Sequence, residues 1–544
     1  MSQQASAGRV TVTVLDERLH PAVAGVLADA VADGAGARLA EADATLWGDA
    51  AQPEASIRLG WLDATGVSRP LLPRLRQLVG EMAGEGLYHV VLAGMGGSSL
   101  APEVITRSAG VGLTVLDTTD PAQVRRALRD RLEGTLVVVS SKSGGTIETD
   151  THRRLYEQAF RDLGLTDAQI AQRFVVVTDP GSPLEKIAAE SGYRAVFLAD
   201  ETVGGRYSAL TAFGVVPSAL AGADVEQLLH DADAVRSSLG NSVDNPGLLL
   251  GAAMGAAARK GRDKLVVLEA DRGLVGFGDW AEQLIAESTG KEGTGVLPVV
   301  VEDSDSPGWA TAGSDALAAG IGEPPGAALT VTGPLGAQFL VWEYATAFAG
   351  KVLGINPFDQ PNVTESKENT ARLLEKAGPD GLPVPEPLLT DGRVEVYAEE
   401  ALVGSARTLP EVLDALLGQV SANGYLAVMA YLDRIGDAGA AGLRAALGRR
   451  LKDRQVTFGW GPRFLHSTGQ FHKGGPQQGV FLQLTGAVTE DLAVPGRPWS
   501  LGTLQLAQAL GDMDALTGRG RPAVRLHLTD RRGGLTQVLA AVSR

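Results

Sequence analysis

Several short segments of this 544-residue chain carry side chains whose types and spacing suit work on an anionic ligand. The first, YHVVLAGMGGSSLAPEV over Tyr88–Val104, reads as a strand to Ala93, a turn Gly94-Met95-Gly96-Gly97-Ser98-Ser99, and then a helix. At the carboxyl end of a strand such a turn presents backbone N–H groups, hydroxyls and a helix N-terminus to an anion, although any tight strand-to-helix connection also uses glycine. A Walker A loop is excluded, because no Lys follows these glycines. The second segment repeats the arrangement, with a strand Leu136–Ser140, the loop Ser141-Lys142-Ser143-Gly144-Gly145-Thr146, and a helix through Glu148 and His152. Hydroxyls, a Lys and paired glycines packed this densely form a phosphate cradle that a mere turn does not need. Two such loops on neighbouring strands would converge on a single anion.

Other segments supply groups for proton transfer and charge stabilisation. In VGGRYSALTAFG (Val203–Gly214), Arg206 follows a glycine pair, a setting better suited to offsetting oxyanion charge than to a surface ion pair. In WAEQLIAESTGKEGTGVL (Trp280–Leu297), Glu287 ends an apolar helical run just before Ser-Thr-Gly, where it either faces a cleft or is a solvated surface carboxylate. In GINPFDQPNVTESK (Gly354–Lys367), two prolines fix a rigid turn ahead of a helix that carries Lys367. In GWGPRFLHSTGQFHKGG (Gly459–Gly475), His466 and His472 are two of only seven histidines, and no neighbouring Asp or Glu completes a metal-ligand set with them.

The elements that must hold these loops follow from the alternation of short apolar runs with helical stretches. His89–Ala93, Leu113–Asp117, Leu136–Ser140, Phe174–Thr178 and Ala195–Leu198 read as buried strands separated by helices, the pattern of a parallel sheet with right-handed crossovers. A second set, Lys264–Glu269, Val296–Val301 and Ala328–Thr332, predicts a similar α/β unit. The expected division is an N-terminal extension over 1–70, with a strand at Val10–Leu15 and a helical stretch over Pro21–Ala40, a first domain with the phosphate loops over 71–235, and a second with Glu287 and Lys367 over 236–375. Pro and Gly crowd residues 378–392 as a surface connection into 376–544, where a helix Pro410–Leu417 and strands Tyr425–Tyr431 and Val480–Leu484 either complete the second sheet or form an appendage.

Composition narrows the ligand class. At 44% hydrophobic and 21% charged residues the chain is a folding, globular one, too long for a single core. Its net charge of −16 repels phosphate backbones and anionic bilayers, so neither nucleic acid nor a membrane surface is an expected partner. No run of 18 apolar residues and no signal-peptide pattern stands in the sequence, which makes a cytoplasmic location the expectation. With no cysteine there is neither disulfide nor thiol nucleophile.

Taken together, over about residues 85–370 plus the loop around His466, these segments resemble the glucose-6-phosphate isomerase (phosphoglucose isomerase) family, which is built from two sugar-isomerase (SIS) domains. GMGGSS and SKSGGT look like its phosphate loops, VGGRYSALTAFG like its GGR(F/Y)S signature, ESTGK like its E-S-x-G-K segment and NPFDQPNVTESK like its F-D-Q-x-x-V-E-x-x-K signature. The resemblance implies two doubly wound parallel-sheet domains in three α/β/α layers, a homodimer with shared active sites, and no cofactor or metal. It implies interconversion of glucose 6-phosphate and fructose 6-phosphate, with Gly97, Ser98, Ser141, Lys142, Ser143 and Thr146 on the phosphate, Gln360 lining the sugar site, Glu287 as the base, Arg206 stabilising the enediolate, and Lys367 and His466 in ring opening. The chain departs from the pattern at Gly144-Gly145, at Thr364 in place of the signature Glu, and at His466, whose H-S-x-G-Q segment is displaced to a later position. A mannose-6-phosphate activity uses the same residues, whereas a non-catalytic sugar-phosphate sensor needs no Glu287, Arg206 and Lys367 set; a fused transaldolase would need a further eightfold barrel that this length does not provide.

Overall fold

The computed structural model describes residues 3–378 and 381–543; Pro379 and Asp380, within the expected surface connection, lie outside the described residues. Three sheets organise the chain. A hairpin of β1 (Gln3–Ala7) and β2 (Val10–Val14) opens it. The first parallel unit follows, with β3 (His89–Gly94), β4 (Thr114–Leu116), β5 (Thr135–Ser140), β6 (Phe174–Thr178) and β7 (Ala195–Leu198) in the order β4-β3-β5-β6-β7. Every pairing in it is parallel. Successive residues of β5 enter different cores: Leu136 and Val138 pack on one side, Val137 and Val139 on the other. That two-sided burial is why the strand reads as a continuous β-branched run rather than an alternating one, each Val contributing roughly 1.5–3 kcal/mol of burial.

The second sheet contains β8 (Lys264–Glu269), β9 (Leu297–Val301), β10 (Ala316–Ile321) and β11 (Leu329–Thr332) in the order β1-β2-β11-β10-β8-β9. The expected N-terminal extension is therefore part of this sheet: β2 pairs antiparallel with β11, Val14 opposite Leu329, and covers an edge that would otherwise stand unpaired. The single helix expected over 21–40 is two, His20–Ala32 and Ala35–Ala40, broken at Gly34 in the left-handed region (φ 62°). Sequence reading also misses β10, whose ALAAGI lacks the β-branched signature of its neighbours.

Residues beyond the connection neither complete the second sheet nor trail from it. β12 (Leu389–Asp391), β13 (Val394–Ala398), β14 (Tyr425–Tyr431), β15 (Gln455–Trp460), β16 (Gly479–Gly486) and β17 (Ala523–Leu528) form a third, six-stranded sheet in the order β12-β13-β17-β16-β14-β15. It has a core of its own, in which Leu426, Val428, Leu482 and Leu526 meet Leu413, Leu443 and Val538. Among the described residues no helix is long and apolar enough to cross a membrane.

Candidate active site

In the first sheet the order reverses between β3 and β5, and ligands of open α/β sheets bind outside the strand ends at such a switch point. Gly94 and Ser140 lie side by side at the carboxyl ends of those strands, so the two glycine-rich loops start together. Each leads into a helix, Leu100–Ala109 and Ile147–Asp162, and the N-termini of both point their positive ends to the same place. The cleft in front of them, about 670 Å³, is lined by Gly97, Ser98, Ser141, Lys142, Ser143, Thr146, Arg206, Glu287, Gln360, Lys367 and His466, which is every residue singled out for the site.

Within the second loop Ser141 and Thr146 share a hydroxyl contact of 2.9 Å, and Gly145 N–H donates to Ser143 Oγ at 3.3 Å. Lys142 is not a free cation: its Nζ pairs with Asp179 and donates to the Glu201 carbonyl at 3.0 Å. Burial outweighs this lysine and raises the Asp179 carboxyl above its ordinary range. The loops are also pressed from outside. Gly96, in the left-handed region (φ +56°), leaves room for the His466 backbone, and a Cβ on Gly97 would stand 1.8 Å from the Gly205 carbonyl oxygen.

Arg206 is 2% exposed, and all five of its N–H groups are taken. Nε donates to Ser288 Oγ (2.8 Å), Nη1 to Glu287 Oε1 (3.1 Å) and Gln360 Oε1 (2.8 Å), and Nη2 to the carbonyls of Pro357 (2.8 Å) and Asp359 (3.0 Å). Glu287 sits in the last turn of the helix Phe277–Thr289, with its second oxygen accepting from Gln283 Nε2 at 3.0 Å. Gln283 also donates to the His466 carbonyl at 2.7 Å, tying Glu287 and the histidine loop to one side chain. Lys291 is fully buried and donates to both the carbonyl and the carboxylate of Asp359 (2.6 Å each). Burial first, then the charge of Arg206, brings its ammonium down to about 8.

His466 arrives on the 3-10 turn Arg463–His466 that follows β15, and its Nε2 lies 3.1 Å from Glu148 Oε1. Gln508 Nε2 donates to the same oxygen at 2.6 Å. Burial would raise the Glu148 carboxyl, but the charge and hydrogen bond of His466, with Lys367 further off, lower it to about 2. His472, the other histidine of the loop, belongs to the core: Nδ1 meets Tyr425 OH at 3.0 Å, the ring stacks on Tyr425, and burial holds its pKa well below the usual histidine range. Lys367, on the helix Val363–Lys376, lines the cleft with no hydrogen bond or ion pair among the described residues. Glu148, Gln283, Ser288 and Lys291 are supporting residues to which sequence reading gave no role. Ser288 and Lys291 were visible only as letters of ESTGK, Glu148 and Gln283 only as an acid and an amide in a helix, and their partners not at all.

Residues 76–319 match the family model described as Phosphoglucose isomerase, so the resemblance read from the motifs is sustained over that stretch, while Gln360, Lys367 and His466 lie beyond it. The chain is 36% identical over 219 residues to a glucose-6-phosphate isomerase of Cyanothece sp. (strain PCC 7425 / ATCC 29141), covering 38% of this chain and 41% of that protein. It is 37% identical over 214 residues to one of Thermosynechococcus vestitus, covering 37% and 40%. The chain thus matches about two fifths of the length of these curated relatives. Among solved structures, a hypothetical protein from Thermus thermophilus (TM-score 0.55, 24% identity) covers 70% of this chain and is itself covered in full. A glucose-6-phosphate isomerase from Chlamydia trachomatis (TM-score 0.54, 20% identity) covers 69% of this chain and is covered over 91% of its own length. Both share the fold.

Proposed function

We propose that this chain is an aldose–ketose isomerase that interconverts glucose 6-phosphate and fructose 6-phosphate through an enediolate. The observation that carries the reading is the placement of Glu287, held between Arg206 and Gln283 at one side of a cleft whose other side offers two helix N-termini and a hydroxyl-rich loop. A sugar phosphate seated with its dianion at Ser98, Ser141, Ser143 and Thr146 has its far carbons directed to the carboxylate, and phosphate binding energy is spent on orientation. Glu287 then takes the proton from C2 and returns it at C1.

The hydrogen bonds support a role for each of the other groups. Glu148, buried and ionised, accepts from His466 Nε2, which leaves Nδ1 as the nitrogen that exchanges a proton with the ring oxygen. Lys367, with no hydrogen bond or ion pair among the described residues, is the cation that meets the substrate. Arg206 has no spare donor, so it reaches an enediolate oxygen by giving up its bond to Gln360, an exposed side chain, while keeping Glu287 in place. Assembly with a second copy, a cytoplasmic location and a role in glycolysis and gluconeogenesis belong to the same reading, as the resemblance implies.

Glu287→Gln tests it. The amide keeps the shape and cannot take the proton, so conversion of glucose 6-phosphate and exchange of the C2 proton with solvent should both fall by about 10²–10⁴ with little change in KM. Turnover within a few-fold of the unmodified chain would remove Glu287 from the reaction.

A further inference from the structure

The third α/β unit, residues 389–542, lies outside the stretch matched by the family model, yet it carries His466. Its sheet has the strand order and directions of the second sheet: four parallel strands with the second strand at one edge, then an antiparallel hairpin. The two sheets share a core, in which Tyr425, Met429 and Phe481 of the third pack against Val266, Val299 and Ala318 of the second. This is the packing of two like units face to face, within one chain.

The third unit is also fastened over the first. Arg463, 8% exposed and three residues before His466, pairs with Glu103 (2.7 Å) and Asp117 (3.2 Å), both on the first unit. Arg434 reaches the same Glu103 at 2.9 Å, Arg126 pairs with Asp433 at 2.7 Å, and Arg531 with the fully buried Asp120 at 2.7 Å. The Arg463 pairs, buried on both sides, are costly to separate, because either partner alone is an uncompensated buried charge. Close to the reacting groups, Gln508 of the third unit bonds Glu148 of the first, and Gln283 of the second bonds the His466 carbonyl.

We propose that the third unit delivers the imidazole, closes the cleft, and makes one copy of the chain a complete catalytic unit. Any assembly of copies then leaves each site self-contained. The proposal rests on the isomerase reading for its activity test, but the closure itself is measurable without it.

Glu287→Gln and His466→Ala, each inactive through a different unit, are unfolded together, refolded, and assayed as a mixture. Self-contained sites give no more than the summed residual activities of the two variants. Sites shared between copies would regenerate one intact site in each mixed dimer, or about a quarter of the unmodified activity at equal mixing, and that recovery would overturn the proposal. The second measurement uses the absence of cysteine. Arg125 of the first unit and Glu490 of the third form a surface pair at 2.9 Å, so Arg125→Cys/Glu490→Cys introduces two thiols in reach of a short bismaleimide. A bridged product at single-chain mass supports closure within the chain, whereas a covalent dimer sinks it. If the unmodified chain shows no isomerase activity, the functional reading fails and the bismaleimide result still decides the closure.

Discussion

Gly97→Ala places one methyl group where the Gly97 and Arg206 loops of the cleft touch. The new Cβ would stand 1.8 Å from the Gly205 carbonyl oxygen and 2.4 Å from its carbon, and ordinary contact begins near 3.4 Å, so the loops must part by about 1.6 Å (3.4 less 1.8). Both contacts are backbone, and no rotamer change relieves them. Arg206 is the next residue after Gly205, and its Nη1 is already 3.1 Å from Glu287. A movement of that size takes the guanidinium out of hydrogen-bond range of the base or drags the base with it. Misplacement by about 1 Å is worth roughly 10²-fold in rate, and overpacking of this sort costs about 1–3 kcal/mol, so kcat/KM should fall by about 10² or more with a lowered unfolding midpoint. The assay is steady-state conversion of glucose 6-phosphate beside urea unfolding. Gly205→Ala is the stability control, since a Cβ there has nothing within 4 Å and should leave the midpoint within about 0.5 kcal/mol of the unmodified chain. Activity within about threefold and an unchanged midpoint for Gly97→Ala would refute the claim that this glycine exists to let the loops meet.

If His466 opens the pyranose ring, His466→Ala should cripple turnover of the cyclic sugar while sparing C2 proton exchange in an acyclic analogue, because Glu287, Gln283 and Arg206 stay in place; equal losses on both substrates would show otherwise. His472→Ala should instead lower stability, without a ring-specific defect, since it removes a buried ring stacked on Tyr425. The buried histidines should lower stability in acid, against the opposite contribution of the buried Glu282 and Glu343, whose carboxyls burial raises: burial is the leading cause that lowers the pKa of His89, His152, His472 and His527 in the native state. The unfolded chain binds the extra protons near pH 6.5 and below, so stability declines as pH falls through that value, by at most about 1.4 kcal/mol per pH unit per histidine. Urea midpoints from pH 7.5 to 5.5 for the unmodified chain and for His472→Phe check this: the variant should lose less stability in acid, and the same slope in both would contradict it.

What could be read from the sequence is what a few adjacent residues fix between themselves. The runs VVLA before GMGGSS and LVVVS before SKSGGT report strands buried on both faces, and the glycines and hydroxyls after them report the tight turns that line the cleft. Long-range pairing left no such trace. The N-terminal hairpin finds its place on β11 more than 300 residues away, where an unpaired edge needs covering, and nothing in VTVTV names that edge. Glu148 meets His466 across 318 residues, and Arg463 meets Glu103 across 360. Each partner alone looks like an ordinary charged residue of a helix or a loop.

Even the legible motifs carried more than their local meaning. Gly96 and Gly97 are readable as a phosphate turn, yet their missing side chains also admit two segments from elsewhere: the His466 backbone, 2.9 Å from a Cβ on Gly96, and the Gly205 carbonyl against Gly97. On the proposed reading the same two positions keep the amides open to an anion and bring His466 and the Arg206 loop to its edge. A larger residue at either would fail on packing before it failed on binding. That is why loss of stability, measured beside loss of activity, separates the two demands on this turn.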